Sequence, residues 1–185
     1  MFSKFCLIFT LIFLSYSNFV YSNPKNAIGE DQNTVNILNN YFSKQTMVGK
    51  ANFQFLFWNM YDAKLISESG SYPSNKFALI LKYNKDFSKK SVVDETINQL
   101  KKQKTFNEKE LKEVNTLLNK AFREIKKNNK FVGIKNNDKA IFYFQNEKVL
   151  ETDNSEFIKI FFDIWLRENS QNPKFTQELL GKTRG

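Results

Sequence analysis

The sequence predicts an α+β fold in which helices pack against an antiparallel sheet. Its hydrophobic residues recur at period two around residues 50–66 and 76–84, at helical period from about 90 to 128, and then at period two and helical period once more. Strands and helices that come in runs, rather than in strict alternation, argue for segregated layers. The composition supplies a core for such layers. The chain is 41% hydrophobic and holds 20 Phe, large rigid side chains suited to filling an interior. Its 185 residues are of the length usual for one domain.

Taken in order, the chain begins with "MFSKFCLIFTLIFLSYSNFVYS". A basic Lys4, an apolar run from Phe5 to Leu14 and the small residues around Val20-Tyr21-Ser22 have the layout of a secretory signal peptide cleaved near Ser22. The run is shorter than the roughly 20 apolar residues that span a bilayer. A periplasmic or secreted location is the expectation. Residues 23–47 read as a polar lead-in, with Asn23 to Asp31 loose and "TVNILNNYFSKQTMVGK" irregular or partly strand up to Gly49. One strand is expected over residues 50–66. Its face of Ala51, Phe53, Phe55, Phe57 and Asn59 is mostly apolar, and its face of Asn52, Gln54, Leu56, Trp58 and Met60 goes from polar to apolar. The second face suits a cleft wall with a wet rim, and suits equally a strand leaving solvent for the core.

"SESGSYPSN" is a loop marked by Gly70 and Pro73, and "KFALILKYN" a buried strand. A helix over residues 90–104 carries Val92, Thr96, Ile97 and Leu100. A second, over residues 108–128, carries Leu111, Val114, Leu118, Ala121, Phe122 and Ile125 on one stripe, with Asn107 and Glu110 spaced as a capping box. "FVGIK" and "AIFYFQNEKVLET" return to period two, the latter as a hairpin turning near Gln145-Asn146-Glu147. "SEFIKIFFDIWLRE" is a helix with Phe157, Ile160, Phe161, Ile164 and Trp165 buried. A last short helix follows Pro173 and ends at Gly181.

Absences bound the chemistry. The one cysteine, Cys6, lies inside the leader, and the chain has no histidine. Transition-metal sites and Ser-His-Asp or Cys-His catalysis therefore lack their ligands and bases. No glycine-rich phosphate loop is present. No cofactor and no metal is expected. The formal net charge is +9. Nucleic acid is not the expected partner, because most lysines lie on the polar faces of predicted helices. A solvated basic surface accounts for them, and attraction to an anionic membrane surface is the second reading.

Two blocks resemble a known family. "FQFLFWNMYDAKLISESGSY" with "ALILKYNKDFSKKSVVDETINQ" is similar to the first half of the bacterial secreted chalcone isomerase-like proteins. "FYFQNEKVLETDNSEFIKIFFDIWLRENSQNPKFTQELLG" is similar to the second half. The likeness covers residues 48–181 and leaves 182–185 as a tail. It implies a large antiparallel sheet with a layer of helices on one face and a cleft between them. Plant members isomerise chalcones, and related plastid members bind fatty acids in the cleft. The catalytic set does not carry over. Tyr61 matches the aromatic strand's Tyr, but the position of the ketone-polarising Thr holds Leu56. Lys50, Asn52 and Gln54 occupy the region of the family's Arg, and a lysine is no bidentate clamp.

The expected function is therefore binding of a small apolar or amphipathic ligand, a fatty acid foremost, with no catalytic residues assigned. The candidate ligand-binding residues are Lys50, Leu56, Trp58, Tyr61, Tyr83 and Lys85. Tyr83 and Lys85 end a core strand where a phenol and an ammonium could meet a head group, Tyr61 could hydrogen-bond a ligand, and Leu56 and Trp58 could line an apolar pocket. The alternatives are an isomerase or lyase using Tyr83, Lys85 or Lys50, and an envelope interaction protein whose cleft is closed by its own Leu56, Trp58 and Met60.

Overall fold

The computed structural model describes residues 28–182; the leader and its cleavage point lie outside them. Helix α1 (Gln32–Asn39) precedes strands β1 (Thr46–Phe55), β2 (Trp58–Ser67) and β3 (Lys76–Tyr83). Helices α2 (Lys89–Lys101) and α3 (Glu108–Ala121) follow. Strands β4 (Lys130–Asn136), β5 (Lys139–Phe144) and β6 (Glu147–Thr152) and helices α4 (Ser155–Leu166) and α5 (Pro173–Leu179) complete the order. The six strands form one sheet in sequence order, every neighbouring pair antiparallel. The expected α+β architecture is what the chain adopts.

Alternation along β3 shows how the layers are built. Phe77, Leu79, Leu81 and Tyr83 face the helical layer, where they join Val93, Leu118, Phe161 and Trp165. Ala78 and Ile80 face the other way, with Ile66, Val132 and Ile134, and pack on Ile37, Leu38 and Phe42. Each fully buried Leu, Ile or Phe adds about 1.5–3 kcal/mol, so both faces contribute to holding the sheet.

The second layer corrects the reading of residues 32–39 as irregular or strand, while the strand leading to Gly49 is present from Thr46 on. Asp31 caps α1, accepting the Thr34 amide at 3.0 Å, and Thr34, Ile37 and Leu38 fall on one buried stripe. Lysines then tie the segment to the sheet. Lys64 Nζ lies 2.6 Å from Glu30 Oε1, and Lys130 pairs with both Glu30 and Asp31.

Two other boundaries differ from expectation. The strand expected over residues 50–66 is a hairpin, Phe55 pairing with Trp58 across a two-residue turn. Period-two alternation continues through a reversal when the turn residues are themselves apolar, so the pattern hides it. Helix α3 carries the expected capping box but stops at Ala121. Phe122 is extended (ψ 154°), and Ile125 reaches its buried place by bridging Phe87.

Gly49 in β1 and Gly181 just after α5 meet in space. A Cβ at Gly49 would stand 2.4 Å from the Glu178 carbonyl oxygen and 2.5 Å from that of Leu179. A Cβ at Gly181, whose φ is +66°, would stand 2.4 Å from the Val48 carbonyl oxygen. Backbone thus packs on backbone where α5 docks on β1, and this contact fixes α5 over one end of the sheet.

Candidate functional site

The floor of the site is a row of aromatic rings across three strands. Register places Phe53 opposite Tyr61 and Tyr61 opposite Tyr83. Phe53 stacks on Tyr61 with centroids 4.9 Å apart, and Tyr61 meets Tyr83 edge to face at 6.0 Å, favourable cross-strand contacts. Helix α5 sets Phe175 edge-on against both Phe53 and Tyr61.

The roof is built from α2, the end of α4 and the segment leading into α5. Trp165 donates from Nε1 to the Tyr61 hydroxyl at 3.0 Å, joining roof to floor. Beyond α4 the chain is held by a buried hydroxyl pair. Ser170 Oγ and Thr176 Oγ1 are 2.7 Å apart, and Thr176 donates to the Trp165 carbonyl at 2.9 Å. Gln103 Nε2 donates to the Ile160 carbonyl at 2.9 Å, keeping the end of α2 beside α4.

Between floor and roof lies a cavity of about 410 Å³, within the range of small-molecule sites. Its walls are chiefly apolar: Phe53, Leu81, Phe87, Val92, Ile164 and Phe175 among them. Ser91, Glu95, Gln99, Gln171 and Asn172 supply polar groups on the helical side. Among the described residues Glu95 is the only carboxylate in the lining, and no Lys or Arg contributes to it.

Two phenols give the cavity its directed chemistry. Burial pushes the Tyr61 hydroxyl well above the usual tyrosine range; the Trp165 hydrogen bond pulls the other way and the Glu95 charge adds to the rise. Burial, with the neighbouring Tyr61, raises Tyr83 as well. Both therefore keep their protons at neutral pH and act as donors, not bases. Tyr83 is 5% exposed, and its hydroxyl has no hydrogen-bond partner among the described residues. The hydroxyl is not one of the buried unpartnered atoms of the described residues, so it opens to the cavity, where an acceptor can meet it.

Of the residues singled out in the sequence, Tyr61 and Tyr83 line this cavity and the other four do not. Leu56 and Trp58 sit at the hairpin turn in solvent, so they neither wall the cavity nor close it. Lys85 stacks its ammonium 3.7 Å from the Trp58 ring centroid, outside the cavity lining. Lys50 lines a depression on the opposite face of the sheet with Lys64, Lys82 and Lys130, among the acids Glu30 and Asp62. The Tyr83–Lys85 pair expected at a cleft mouth is thus split between two surfaces, because the chain leaves the sheet at Asn84.

Sequence reasoning placed Thr96, Ile164 and Trp165 only in the core and passed over Ser170 and Thr176. Thr96 offered a signal, being a hydroxyl in an otherwise apolar stripe; it satisfies itself on the Val92 carbonyl at 2.7 Å. Among the described residues no group of three or more His, Cys, Asp or Glu is placed to hold a metal ion.

No protein-family model matches the chain. An uncharacterized protein of Haemophilus influenzae is 29% identical over 146 residues, spanning 77% of this chain and 71% of that protein. The crystal structure of a fatty-acid binding protein of Arabidopsis thaliana superposes with a TM-score of 0.57 at 13% identity, covering 75% of this chain and 88% of that one. At that identity the likeness speaks for the fold, and with the six-stranded sheet and its helical layer it establishes a chalcone isomerase-like architecture.

Proposed function

We propose that this protein binds a small apolar or amphipathic molecule in the cavity between sheet and helices, without converting it. The observation that carries the reading is an apolar cavity of about 410 Å³ lined by Tyr83, whose hydroxyl makes no hydrogen bond to another described residue and opens to the cavity. The fatty-acid binding of the structurally similar plant protein supports a ligand with a long hydrocarbon chain. The lining narrows the head group. With Glu95 its one carboxylate and no cation among the described residues, the cavity offers no partner there for an ionised carboxylate, whose burial unpaired is costly. A fatty acid would have to keep its charged end at the rim; a long-chain alcohol or another neutral head group fits the two phenols directly. The same inventory supports binding without conversion, since both phenols hold their protons and Glu95 is exposed at the helical side.

Native mass spectrometry of the protein isolated without detergent tests this. A reproducible small-molecule adduct that is absent from a Val92→Trp variant is the expected result, because Val92 lines the cavity. A bare mass that persists after incubation with hexadecanol and with hexadecanoic acid overturns the reading.

A further inference from the structure

Each of the three tightest turns of the sheet is a two-residue hairpin loop, at Leu56-Phe57, Asn137-Asp138 and Gln145-Asn146. All three place their first residue at positive φ: 55° for Leu56, 55° for Asn137 and 57° for Gln145. Two of the loops use the polar residues expected in solvent. The β1–β2 loop uses leucine and phenylalanine. Leucine is among the side chains that resist a left-handed backbone most, and glycine is the residue that turn geometry favours. The fold therefore does not ask for Leu-Phe at this turn.

The apolar character extends to both flanks. Phe55, Leu56, Phe57 and Trp58 are 60%, 75%, 98% and 57% exposed, and they are the exposed large hydrophobics of the described residues. Four such neighbours on one projecting apex form a patch of the kind that marks an interaction surface. Behind it stand cations. Lys85 lies 3.7 Å from the Trp58 centroid. The Lys126 ammonium and the Lys127 backbone both contact Asp86, the next residue. Lys126 thus offsets the Asp86 charge at 3.1 Å, which leaves Lys85 as the cation held against the Trp58 ring.

We infer that the β1–β2 apex is a peripheral membrane-docking site for an anionic bilayer surface. The aromatic residues would enter the head-group region, where Trp and Phe are favoured. The lysines set behind them would meet lipid phosphates. The net charge of +9 adds attraction of the same sign. The charge arrangement also selects among occupants. A second copy of the chain would bring two Lys85 ammonium groups and two strongly basic chains together, and like charges facing each other oppose association. The inference stands whether or not the cavity is occupied.

The test uses the full chain, wild type and a Leu56→Gly/Phe57→Asn variant, with vesicles of phosphatidylcholine alone or with added phosphatidylglycerol. The variant removes the apolar apex and supplies the glycine that the turn favours, so it is expected to fold at least as well. Trp58 is the exposed tryptophan and Trp165 the buried one, so a blue shift of emission, and quenching by brominated lipid, report the apex. We expect at least tenfold stronger partitioning onto the anionic vesicles, a blue shift on binding, and loss of both in the variant. Binding without a Trp58 response, as when the N-terminal apolar run alone inserts, overturns the inference. So does equal partitioning of the variant, or an apex-dependent dimer in light scattering with no vesicle binding.

Discussion

The first hairpin holds two aromatic groups with opposite fates a few residues apart. At its base, Phe53 and Tyr61 stack on each other under Phe175 and Trp165 and help to wall a cavity. At its apex, Phe55, Leu56, Phe57 and Trp58 touch little beyond the Lys85 ammonium. Residue type does not separate the groups. What separates them is what lies above: α5 and the end of α4 reach the base, and the ribbon runs out past them to the apex. Aromatic rings at the base therefore contribute to stability, while those at the apex are free to serve contact with something else.

Substitutions should reproduce that division. The largest effect is expected from Trp165→Ala, which empties a buried site and leaves the Tyr61 hydroxyl without its donor. Loss of about 3–5 kcal/mol is expected, read as the shift of the urea midpoint. Gly49→Ala comes next. A methyl group cannot stand 2.4 Å from the Glu178 carbonyl, so α5 must lift off β1. We expect a loss of about 1–3 kcal/mol, with increased hydrogen exchange in α5 while the β4–β6 strands keep their protection.

The smallest effects lie away from the base. Burial alone would raise the Asp31 carboxyl, but hydrogen bonds from Lys130 and the Thr34 amide overcome it and hold it at about 2. A carboxyl with a depressed native pKa stabilises the fold above its unfolded value of 3.8. That contribution is lost as pH falls from about 4 through 2. Half-exposed as the side chain is, it accounts for about 1 kcal/mol or less once solvent screening is allowed for. Thermal melts between pH 5 and pH 2 should show it, and Asp31→Asn should flatten the slope. At the apex, Leu56→Gly/Phe57→Asn should change stability by no more than about 0.5 kcal/mol in the unfavourable direction and could raise it. A loss of several kcal/mol there would mean that the apex packs after all.

The same hairpin shows what was legible in the sequence. Phe77, Leu79, Leu81 and Tyr83 announce β3 by their alternation, and the Asn107–Glu110 box announces the start of α3, because period and capping are local properties. The reversal at Leu56-Phe57 was not legible, since its residues are apolar and carry no turn signature. Helix α1 was obscured by the polar, asparagine-rich surroundings of a single short stripe, whose burial depends on Ala78, Ile80 and Val132 far along the chain. Tyr83 could be named as a site residue because it ends a core strand, and Tyr61 because it matches the tyrosine of the family's aromatic strand. The wall opposite them, from Ser91 to Gln99 and from Ser170 to Thr176, could not be assigned, because α2 reaches it by packing on α3 and α4 and the second segment by the docking of α5 through Gly49 and Gly181.

The central claim is that the base of the hairpin, and not its apex, holds the ligand. Calorimetric titration of delipidated protein with a long-chain alcohol tests it most directly, comparing wild type, Val92→Trp, Tyr83→Phe and Leu56→Gly/Phe57→Asn. We expect one saturable site in the wild type, unchanged in the apex variant. Affinity should fall at least tenfold when Val92→Trp obstructs the cavity, and about fivefold when Tyr83→Phe removes one hydrogen bond of roughly 1 kcal/mol. Binding that survives Val92→Trp and disappears with the apex substitutions would contradict the account.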